Sequence, residues 1–503
     1  MTVLEKLREY ANTDRVALIN RDETLKYSEL DRFSDIFALY LTERYPGDKT
    51  PVVIYGHKET LILPCIYGSL KAGRAYVPVD ITVPEERVQQ IIDDVSPKVF
   101  VDFYELNIET DAEVITQQKL KDFFAGNTEL NVNVEDNCVK KDDLAYILFT
   151  SGSTGKPKGV PITCANIENL SRELMPWMET SEDGGVILNQ ISYSFDVSVV
   201  SLYMGVSRGM TLYTIDKDIQ ENMGELFNHL ESSDCAIWVS TPSFAEICVP
   251  SARFNQSLLP KLEKFLFCGE ILTHNLVDEL FSRFPNTKVI NTYGPTEATV
   301  LVTAVEVTKE MADDPLQIPI GYPLPEVTFR IVDVDGKSVP SGEQGELLII
   351  SDNVGPGYFK RPDLTEKAFF VDSETGKRGY HTGDICFERD GLYYYCGRMD
   401  NQIKIHGHRV EIEDIENNLA KCDNIVRAAV LPVYENEKIT HLTAFVLLQK
   451  PDGLTSLKRA MKIKEELRET LPSYMIPRKI LALDSFPLNT NGKVDKKELQ
   501  KSL

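Results

Sequence analysis

The chain has 503 residues, 42% of them hydrophobic and 26% charged, and carries a formal charge of −23 at pH 7. This length exceeds the size at which one hydrophobic core stops growing, so two or more domains are expected, and the apolar content excludes a disordered chain. The acidic charge argues against nonspecific nucleic-acid binding, which needs a basic surface to displace counterions.

The N-terminal segment MTVLEKLREY lacks the apolar core of a signal peptide, and no apolar run approaches the roughly 20 residues that a membrane helix needs. We therefore expect a cytoplasmic protein. The nine cysteines are scattered and form no CxxC pair, which argues against a disulfide framework and a structural zinc site.

Short apolar runs alternate with helical patterns through most of the chain. The runs are PVVIYG, KVFVDF, AYILFT, AIWVST, KFLFCGE and KVINTYG. Near-continuous apolar strands of this kind indicate parallel sheets buried under helices, so the sequence predicts an α/β fold with two parallel-sheet subdomains. Ligands in such folds bind beyond the carboxyl ends of the strands, where the polar segments TSGSTG, STPS, CGE and TYGPTE stand.

After about residue 320 the pattern changes to shorter β segments with Asp-Gly and Ser-Gly turns, which predicts a β-rich subdomain. Beyond GRMDNQ, the segment VEIEDIENNL has helical periodicity, AAVLPVY and HLTAFVLL predict two strands, and a helix is expected over roughly 456–470. The predicted division is a large domain over 1–399 and a small, mobile α+β domain over 400–503. The small domain holds 17 basic and 15 acidic residues, whereas the large domain holds 37 and 62, an asymmetry that favours two functional parts.

The loop TSGSTGKPKG, residues 150–159, follows a predicted strand. It is not a Walker A motif, because only two residues separate Gly152 from Gly155. Its backbone amides and hydroxyl groups can still bind a phosphate, although a loop of this composition taken alone is more often a linker. The hydroxyl groups belong to Thr150, Ser151, Ser153 and Thr154.

Five motifs follow one another along the chain: TSGSTGKPKG, NTYGPTEAT, YHTGD, GRMDNQIKIHGHRVEIEDIE and NGKVDKKEL. In order and spacing they resemble the motifs of adenylate-forming enzymes, and over essentially its whole length the chain is similar to the amino-acid-activating adenylation domains related to nonribosomal peptide synthetases. The resemblance implies ATP and Mg²⁺ as cofactors. It also implies two steps: a carboxylate attacks the α-phosphate of ATP, giving an acyl-adenylate and pyrophosphate, and a phosphopantetheine thiol then accepts the acyl group.

The resemblance gives particular residues particular roles. Lys493 would contact the substrate carboxylate and the adenylate oxygens, where a cation neutralises developing charge; without its motif it would be one more solvated lysine. Glu297 would bind Mg²⁺, which prefers oxygen ligands, or would be a surface acid. Tyr293 would lie against adenine, or would be a core aromatic. The other residues expected at the nucleotide are Thr150, Ser151, Gly152, Ser153, Thr154, Gly269, Glu270, Asn291, Thr292, Gly294, Pro295, Thr296, Tyr395, Cys396 and Gly397.

By the same resemblance, Asp384 would accept hydrogen bonds from the ribose hydroxyls and Arg398 would assist it, although an aspartate after Thr-Gly is otherwise usually a turn residue. Asp400 matches the hinge about which the small domain rotates between the two steps. The chain departs from the family at KIHGHR, where an arginine is common in place of His406. His406 and His408 have no third metal ligand nearby, so we expect them to be solvated or in a loop.

Three residues are expected in the amino-acid pocket. Asp196 stands where amino-acid-activating relatives keep an aspartate for the α-ammonium group, and it could also cap the following helix. Cys268 replaces a glycine of many relatives, so it would narrow the pocket beside the α-carbon, unless it is only a buried structural cysteine. With these residues and Val300, the sequence is similar to the D-alanine-activating branch of the family in Gram-positive bacteria, which implies D-alanine as the substrate.

The sequence ends ten residues after Lys493, so we expect the acceptor to be a separate carrier protein. The resemblance implies a small acidic carrier bearing phosphopantetheine, whose alanine esterifies lipoteichoic acid. Two alternatives stay open: a stand-alone enzyme that activates an L-amino acid for another carrier, and a non-catalytic adenylate sensor, which would not need Lys493. The basic residues of the small domain that suit an acidic partner are Arg478, Lys479, Lys496 and Lys497.

Overall fold

Residues up to 400, here called the large part, are built on three β-sheets, and the residues from 402 onwards, the small part, on two. The computed structural model describes residues 1–126, 137–152, 156–400, 402–405, 407–435, 438–487, 494–501 and 503. The α/β fold class predicted from the alternating apolar runs is confirmed, because most neighbouring strands in the two largest sheets are parallel.

The largest sheet has nine strands, and antiparallel strands extend it at both ends. Its central strands are buried except for the first residue of most of them, which explains their continuous apolar sequences. In spatial order the strands are Tyr322–Pro323, Thr303–Glu306, Lys288–Tyr293, Lys264–Phe267, Cys235–Ser240, Val186–Asn189, Thr211–Thr214, Val16–Asn20 and Glu23–Lys26.

A second sheet has six strands, of which only the last pair is antiparallel. The predicted phosphate loop joins the two strands of that pair. In spatial order they are Glu113–Thr116, Val99–Asp102, Val52–Tyr55, Tyr76–Val79, Leu144–Thr150 and Lys158–Thr163. Each of the six strands predicted from apolar runs is present in one of these two sheets.

The predicted β-rich subdomain is an antiparallel five-stranded sheet, formed by Thr328–Val332, Gly345–Ile350, Arg378–Arg389, Phe369–Val371 and Leu392–Arg398. The small part begins with a two-stranded hairpin, Gln402–Ile405 and His408–Glu411, which we call the hairpin. It continues with a three-stranded sheet, Ile425–Glu435, Lys438–Leu448 and Lys479–Leu483.

Helices cover the faces of the sheets. Those of the large part are Thr2–Tyr10, Tyr27–Arg44, Ile62–Lys71, Glu85–Val95, Gln117–Gly126, Cys164–Leu174, Lys217–Glu221, Met223–Ser232, Pro242–Cys248, His274–Arg283, Lys309–Asp313 and Pro362–Ala368, with 3₁₀ turns at Met175–Met178 and Thr296–Ala298 and a π-helical turn at Val200–Gly205. Those of the small part are Ile412–Leu419, Ser456–Thr470 and Lys496–Gln500, with a 3₁₀ turn at Ser473–Met475.

The small part confirms the elements predicted for it, including the helix Ser456–Thr470 and the buried face of Ile412, Ile415 and Leu419. Among the helices of the described ranges, none combines the length and the apolar character of a membrane-spanning segment.

The large and small parts have separate apolar cores. One cluster of buried side chains runs through both large sheets and reaches Cys386, whereas the main cluster of the small part is drawn from residues between Ile403 and Ile480. Within the described residues, no cluster combines buried apolar side chains of both parts. The two parts therefore meet through contacts other than a shared core.

Candidate active site

The polar segments predicted at the strand ends do converge. The strand Leu144–Thr150 of the six-stranded sheet ends at a cavity that also contains Asp196 and Thr296, which follow strands of the nine-stranded sheet. The site thus lies where the carboxyl ends of strands from two sheets face each other, as expected for this class of fold.

A cavity of about 460 Å³ lies between the large and small parts. It is lined by ten of the residues predicted at the nucleotide or hinge, so the structure brings two of the five motifs together, NTYGPTEAT and GRMDNQIKIHGHRVEIEDIE. These ten are Gly269, Glu270, Asn291, Thr292, Tyr293, Tyr395, Cys396, Gly397, Arg398 and Asp400. We call it the nucleotide cavity.

Asp384 lies beside this cavity in a network of charged hydrogen bonds. It accepts from the Tyr293 hydroxyl at 2.5 Å and from Arg398 Nη1 at 2.6 Å. Arg398 also donates through Nε and Nη2 to Asp400, at 2.7 Å in each case. Burial opposes the charge of Arg398, yet its hydrogen bonds to Asp400 and the charge of Asp384 raise the pKa of its guanidinium above the ordinary value. The predicted ribose and hinge residues are therefore physically linked.

The predicted ammonium partner is a buried carboxylate with an unusual pKa. Asp196 is 7% exposed, and its Oδ2 accepts a hydrogen bond from Thr296 Oγ1 at 2.6 Å. Burial raises the pKa of the Asp196 carboxyl to about 6, since the hydrogen bond from Thr296 and the charge of Lys404 offset only part of the cost of losing water. A helix cap would accept a hydrogen bond from a backbone N–H of the following helix. The hydrogen bond found here is donated by the Thr296 side chain instead. A cation bound here would stabilise the ionised form.

Cys268 and Val300 contact each other close to Asp196. Cys268 is buried, and its Sγ lies 3.8 Å from the carbonyl oxygen of Val300. Thr299 and Val300 both have positive φ angles, 59° and 72°, which β-branched residues rarely adopt. A side chain at Gly294 would come within 2.5 Å of the Leu301 backbone, so a glycine is needed where this turn folds back.

Glu297 is fully buried and surrounded by donors. Arg409 Nη1 donates to both of its oxygens, at 2.7 and 2.6 Å, and the Tyr358 hydroxyl donates to Oε1 at 2.8 Å. Lys158 Nζ lies 3.8 Å away. Burial alone would raise the pKa of Glu297, but the charges of Arg409 and Lys158 lower it to about 2. The surface-acid alternative does not apply.

The hairpin of the small part enters the site from the opposite side. Its turn residue Gly407 donates its backbone N–H to Glu270 at 2.7 Å. Ser151 donates to the carbonyl of Arg409 at 2.8 Å and accepts from the backbone of Glu411 at 3.1 Å. Lys404 Nζ lies 5.6 Å from the centre of the Tyr293 ring. The predicted nucleotide residues Ser151 and Glu270 thus bind the hairpin here.

Of the remaining predicted residues, some have described surroundings and the others lie outside the described residues. Thr150 Oγ1 is buried and has no hydrogen-bond partner among the described residues, and a side chain at Gly152 would clash with the carbonyl of Lys156. Pro295 precedes the 3₁₀ turn that carries Glu297. Ser153, Thr154, His406 and the predicted catalytic Lys493 lie outside the described residues.

His408 differs from the expectation of a solvated histidine. It is half-buried, and its ring stacks on Tyr474 with ring centres 3.7 Å apart and planes 4° apart. The ring of Phe195 lies 5.7 Å away on another side. His408, Tyr474 and Phe195 line the cavity of about 70 Å³ that also contains Asp196, which we call the side channel.

Sequence reasoning missed the charged contacts that hold the two parts together. Arg87 donates to Asp414 at 2.6 Å and to the carbonyl of Thr470 at 2.8 Å, and Lys438 donates to Glu246 at 2.6 Å. Arg409 was also missed as a partner of Glu297. No local pattern could have found these pairs, because the partners are far apart in sequence and unremarkable one by one.

Comparison with protein families gives matches over both parts. The family described as AMP-binding enzyme matches residues 6–359, and that described as AMP-binding enzyme C-terminal domain matches residues 414–493. Among curated proteins, D-alanine--D-alanyl carrier protein ligases are similar to this chain at 40% identity. The example from Bacillus cereus strain Q1 aligns over 502 residues and that from Bacillus anthracis over 501, in each case 99% of both chains.

Solved structures give the same fold. An artificially fused adenylation–PCP di-domain from Klebsiella oxytoca has a TM-score of 0.83 at 22% identity, with 96% of this chain and 94% of that one covered. A Vibrio cholerae adenylation domain in complex with glycyl-adenosine-5'-phosphate has a TM-score of 0.80 at 21% identity, with 100% and 97% covered.

Proposed function

Because the chain belongs to the family of AMP-binding enzymes, we propose that it activates D-alanine as D-alanyl-AMP and transfers the D-alanyl group to the phosphopantetheine thiol of a separate carrier protein. The first step consumes ATP and releases pyrophosphate. The second forms a thioester and releases AMP. The enzyme is an adenylate-forming ligase.

One observation carries the choice of substrate: the buried carboxylate of Asp196 lies close to the buried side chain of Cys268, which contacts Val300. Asp196 would pair with the α-ammonium group of an amino acid, which compensates for the cost of burying the charge. We propose that Cys268, which stands where many relatives have glycine, and Val300 would border the α-carbon of that amino acid and leave room only for a methyl side chain. The full-length relatives at 40% identity carry the name of a D-alanine ligase, which favours D-alanine over an L-amino acid.

For the nucleotide, we assign the cavity between the two parts to the adenosine moiety. Tyr293 offers a ring face for the base, and Asp384 offers carboxylate oxygens for the ribose hydroxyls, held in place by Arg398. Lys493 is proposed as the cation that contacts the reacting carboxylate and phosphate oxygens in the first step.

The arrangement described does not fit Mg²⁺ at Glu297. A divalent cation needs carboxylate oxygens, and here Arg409 takes both oxygens of Glu297 while Lys158 adds a second positive charge. A role for Glu297 as a Mg²⁺ ligand therefore belongs to an arrangement in which the hairpin has withdrawn.

With the hairpin docked, the arrangement suits the second step. The side channel is bounded by both parts and contains Asp196 and Thr296, so it offers a path by which a thiol could approach an acyl group held at Asp196. The basic residues around Arg478 and Lys479 would face an acidic carrier.

The test is pyrophosphate exchange with a panel of D- and L-amino acids, followed by thioester formation on a phosphopantetheinylated D-alanyl carrier protein. D-Alanine should give the highest exchange, and the carrier should become labelled only with ATP present. Asp196→Asn should lose amino-acid-dependent exchange, whereas Cys248→Ala, a buried substitution outside the site, should keep it. An L-amino acid that exceeds D-alanine would contradict the proposed substrate.

A further inference from the structure

We infer that His408 accepts the proton of the attacking thiol in the transfer step; this inference rests on the proposed function. The residue belongs to the hairpin and reaches the site only when the hairpin is docked. In that arrangement it lines the side channel together with Asp196 and Thr296. A thiol that enters the channel therefore shares a cavity of about 70 Å³ with the imidazole.

The packing around His408 fixes the plane of its ring. Tyr474 stacks on one face at 3.7 Å between ring centres, and Phe195 lies 5.7 Å away with its ring tilted by 53°. Both neighbours also line the channel. Because one face of the His408 ring is covered by Tyr474, the ring edge, which carries the nitrogens, is the part best placed to reach a group in the channel. This orientation suits an imidazole that exchanges a proton with a group in the channel.

The reaction needs a proton acceptor. The thiol sulfur forms a bond to the carbonyl carbon, the bond from that carbon to the phosphate oxygen breaks, and the electron pair leaves with AMP. The S–H bond breaks as well, and its proton goes to the imidazole of His408. Free thiols have a pKa of about 8.5, so most of the thiol is protonated at neutral pH and a nearby base increases the reactive fraction.

The other titratable groups that line the channel are poor acceptors. Asp196 is reserved for the substrate ammonium group, and Arg409 is bound to Glu297. Burial raises the pKa of the Tyr474 hydroxyl to about 12, so it stays protonated. Histidine is the side chain that ordinarily titrates between pH 5 and 8. The charged groups around the stack are Arg87, Asp414 and Asp80.

The experiment uses two substitutions of the same residue. His408→Phe keeps an aromatic ring on Tyr474 but cannot take a proton, and His408→Gln removes both the stack and the base. His441→Gln, a histidine of the three-stranded sheet, is the matched control. The full-length enzyme is loaded with the adenylate of whichever amino acid supports pyrophosphate exchange. Single-turnover transfer to pantetheine is then followed from pH 5.5 to 9, and exchange in parallel normalises for active protein.

Wild type and the His441→Gln control should reach a plateau in transfer rate above about pH 7. Both His408 variants should be roughly 10–100-fold slower at pH 7 and should gain about tenfold per pH unit until the thiol ionises near pH 8.5, where the difference closes. A wild-type pH profile in His408→Phe would mean that the residue only packs, and the inference would be wrong. Absence of exchange with any amino acid would instead overturn the proposed function.

Discussion

The pocket walls of the large part and the hairpin of the small part are built in different ways. Asp196, Cys268 and Val300 are fixed within a continuous apolar core that spans two sheets. The hairpin reaches the same site through polar contacts, chiefly Arg409 on Glu297, Gly407 on Glu270 and the Ser151 hydroxyl. The two parts do not share an apolar cluster within the residues described.

We infer from this difference that the large part recognises the substrate, whereas the interface between the two parts can rearrange. An apolar core resists rearrangement because its cavities and overlaps are costly, so the shape of the amino-acid pocket is constant. An interface of hydrogen bonds and ion pairs can be exchanged for water or for ligand groups at a smaller net cost. The same Glu297, Ser151 and Glu270 can therefore serve the nucleotide in one arrangement and the hairpin in another.

The largest effect is expected at Lys493, the group that we propose the small part contributes to the first step. Lys493→Ala should lower D-alanine-dependent pyrophosphate exchange by about 10³-fold or more, since it removes a cation from the developing charge. Lys462→Ala is the matched control, because Lys462 pairs with Asp423 on the surface of the same part. Undiminished pyrophosphate exchange in Lys493→Ala would show that the first step does not need Lys493 of the small part.

Arg409 tests whether the hairpin and a divalent cation compete for Glu297. Arg409→Gln leaves a buried carboxylate without its cationic partner, so Mn²⁺ should bind roughly 10–100-fold more tightly in the presence of a non-hydrolysable ATP analogue. Binding is measured directly by titrating the protein with Mn²⁺ and following the paramagnetic signal of the free ion. Lys462→Gln removes an ion pair with Asp423 on the surface of the small part, outside the nucleotide cavity, and should leave the affinity unchanged. Equal affinities in Arg409→Gln and wild type would rule out the competition.

The variant Asp196→Asn tests whether ionisation of the buried Asp196 carboxyl destabilises the folded chain in the absence of substrate. Its carboxyl has a pKa of about 6 in the folded chain and near 3.9 when unfolded, so its ionisation costs stability at neutral pH. Asp196→Asn keeps an acceptor for Thr296 and should raise the free energy of unfolding by about 2 kcal/mol at pH 8, measured without substrate.

The sign of this effect depends on pH. The neutral carboxyl stabilises the folded chain below about pH 4, and that contribution is lost as the pH rises through about 6. The advantage of Asp196→Asn should therefore be small at pH 4 and complete above pH 6. An equal advantage at both ends of this range would show that ionisation of Asp196 is not its cause.

The smallest effect is expected from Cys268, which shapes the pocket without carrying charge. Cys268→Ala enlarges the space beside the α-carbon, so the preference for D-alanine over L-alanine in kcat/KM should fall by up to about tenfold, or 1.4 kcal/mol. Cys248→Ala serves as the control, because Cys248 is also buried but belongs to a different apolar cluster of the large part. A ratio that does not change would assign the stereochemical choice to another wall residue.

Much of the fold and of the candidate site could be predicted from the sequence. Continuous apolar runs gave the strands of two parallel sheets, because burial on both faces leaves no place for polar residues. Gly269 follows the strand Lys264–Phe267, and Asn291, Thr292 and Tyr293 end the neighbouring parallel strand, so these predicted nucleotide residues meet at one edge of the sheet. Tyr395 to Arg398 reach the same cavity from the antiparallel five-stranded sheet. The motif around Lys493 is a local signal too, but its position lies outside the described residues.

Composition, periodicity and motif spacing thus determined the elements and the kind of chemistry, since these depend on local preferences along the chain, and they supplied the residues proposed for the pocket. Only the tertiary structure decided that Arg409 occupies Glu297, that His408 stacks on Tyr474 beside the substrate pocket, and that Arg87 pairs with Asp414. Ser151 and Arg409, for example, are 258 residues apart in sequence. Contacts of this kind depend on how two separately cored parts dock through polar groups, and no local pattern encodes that geometry.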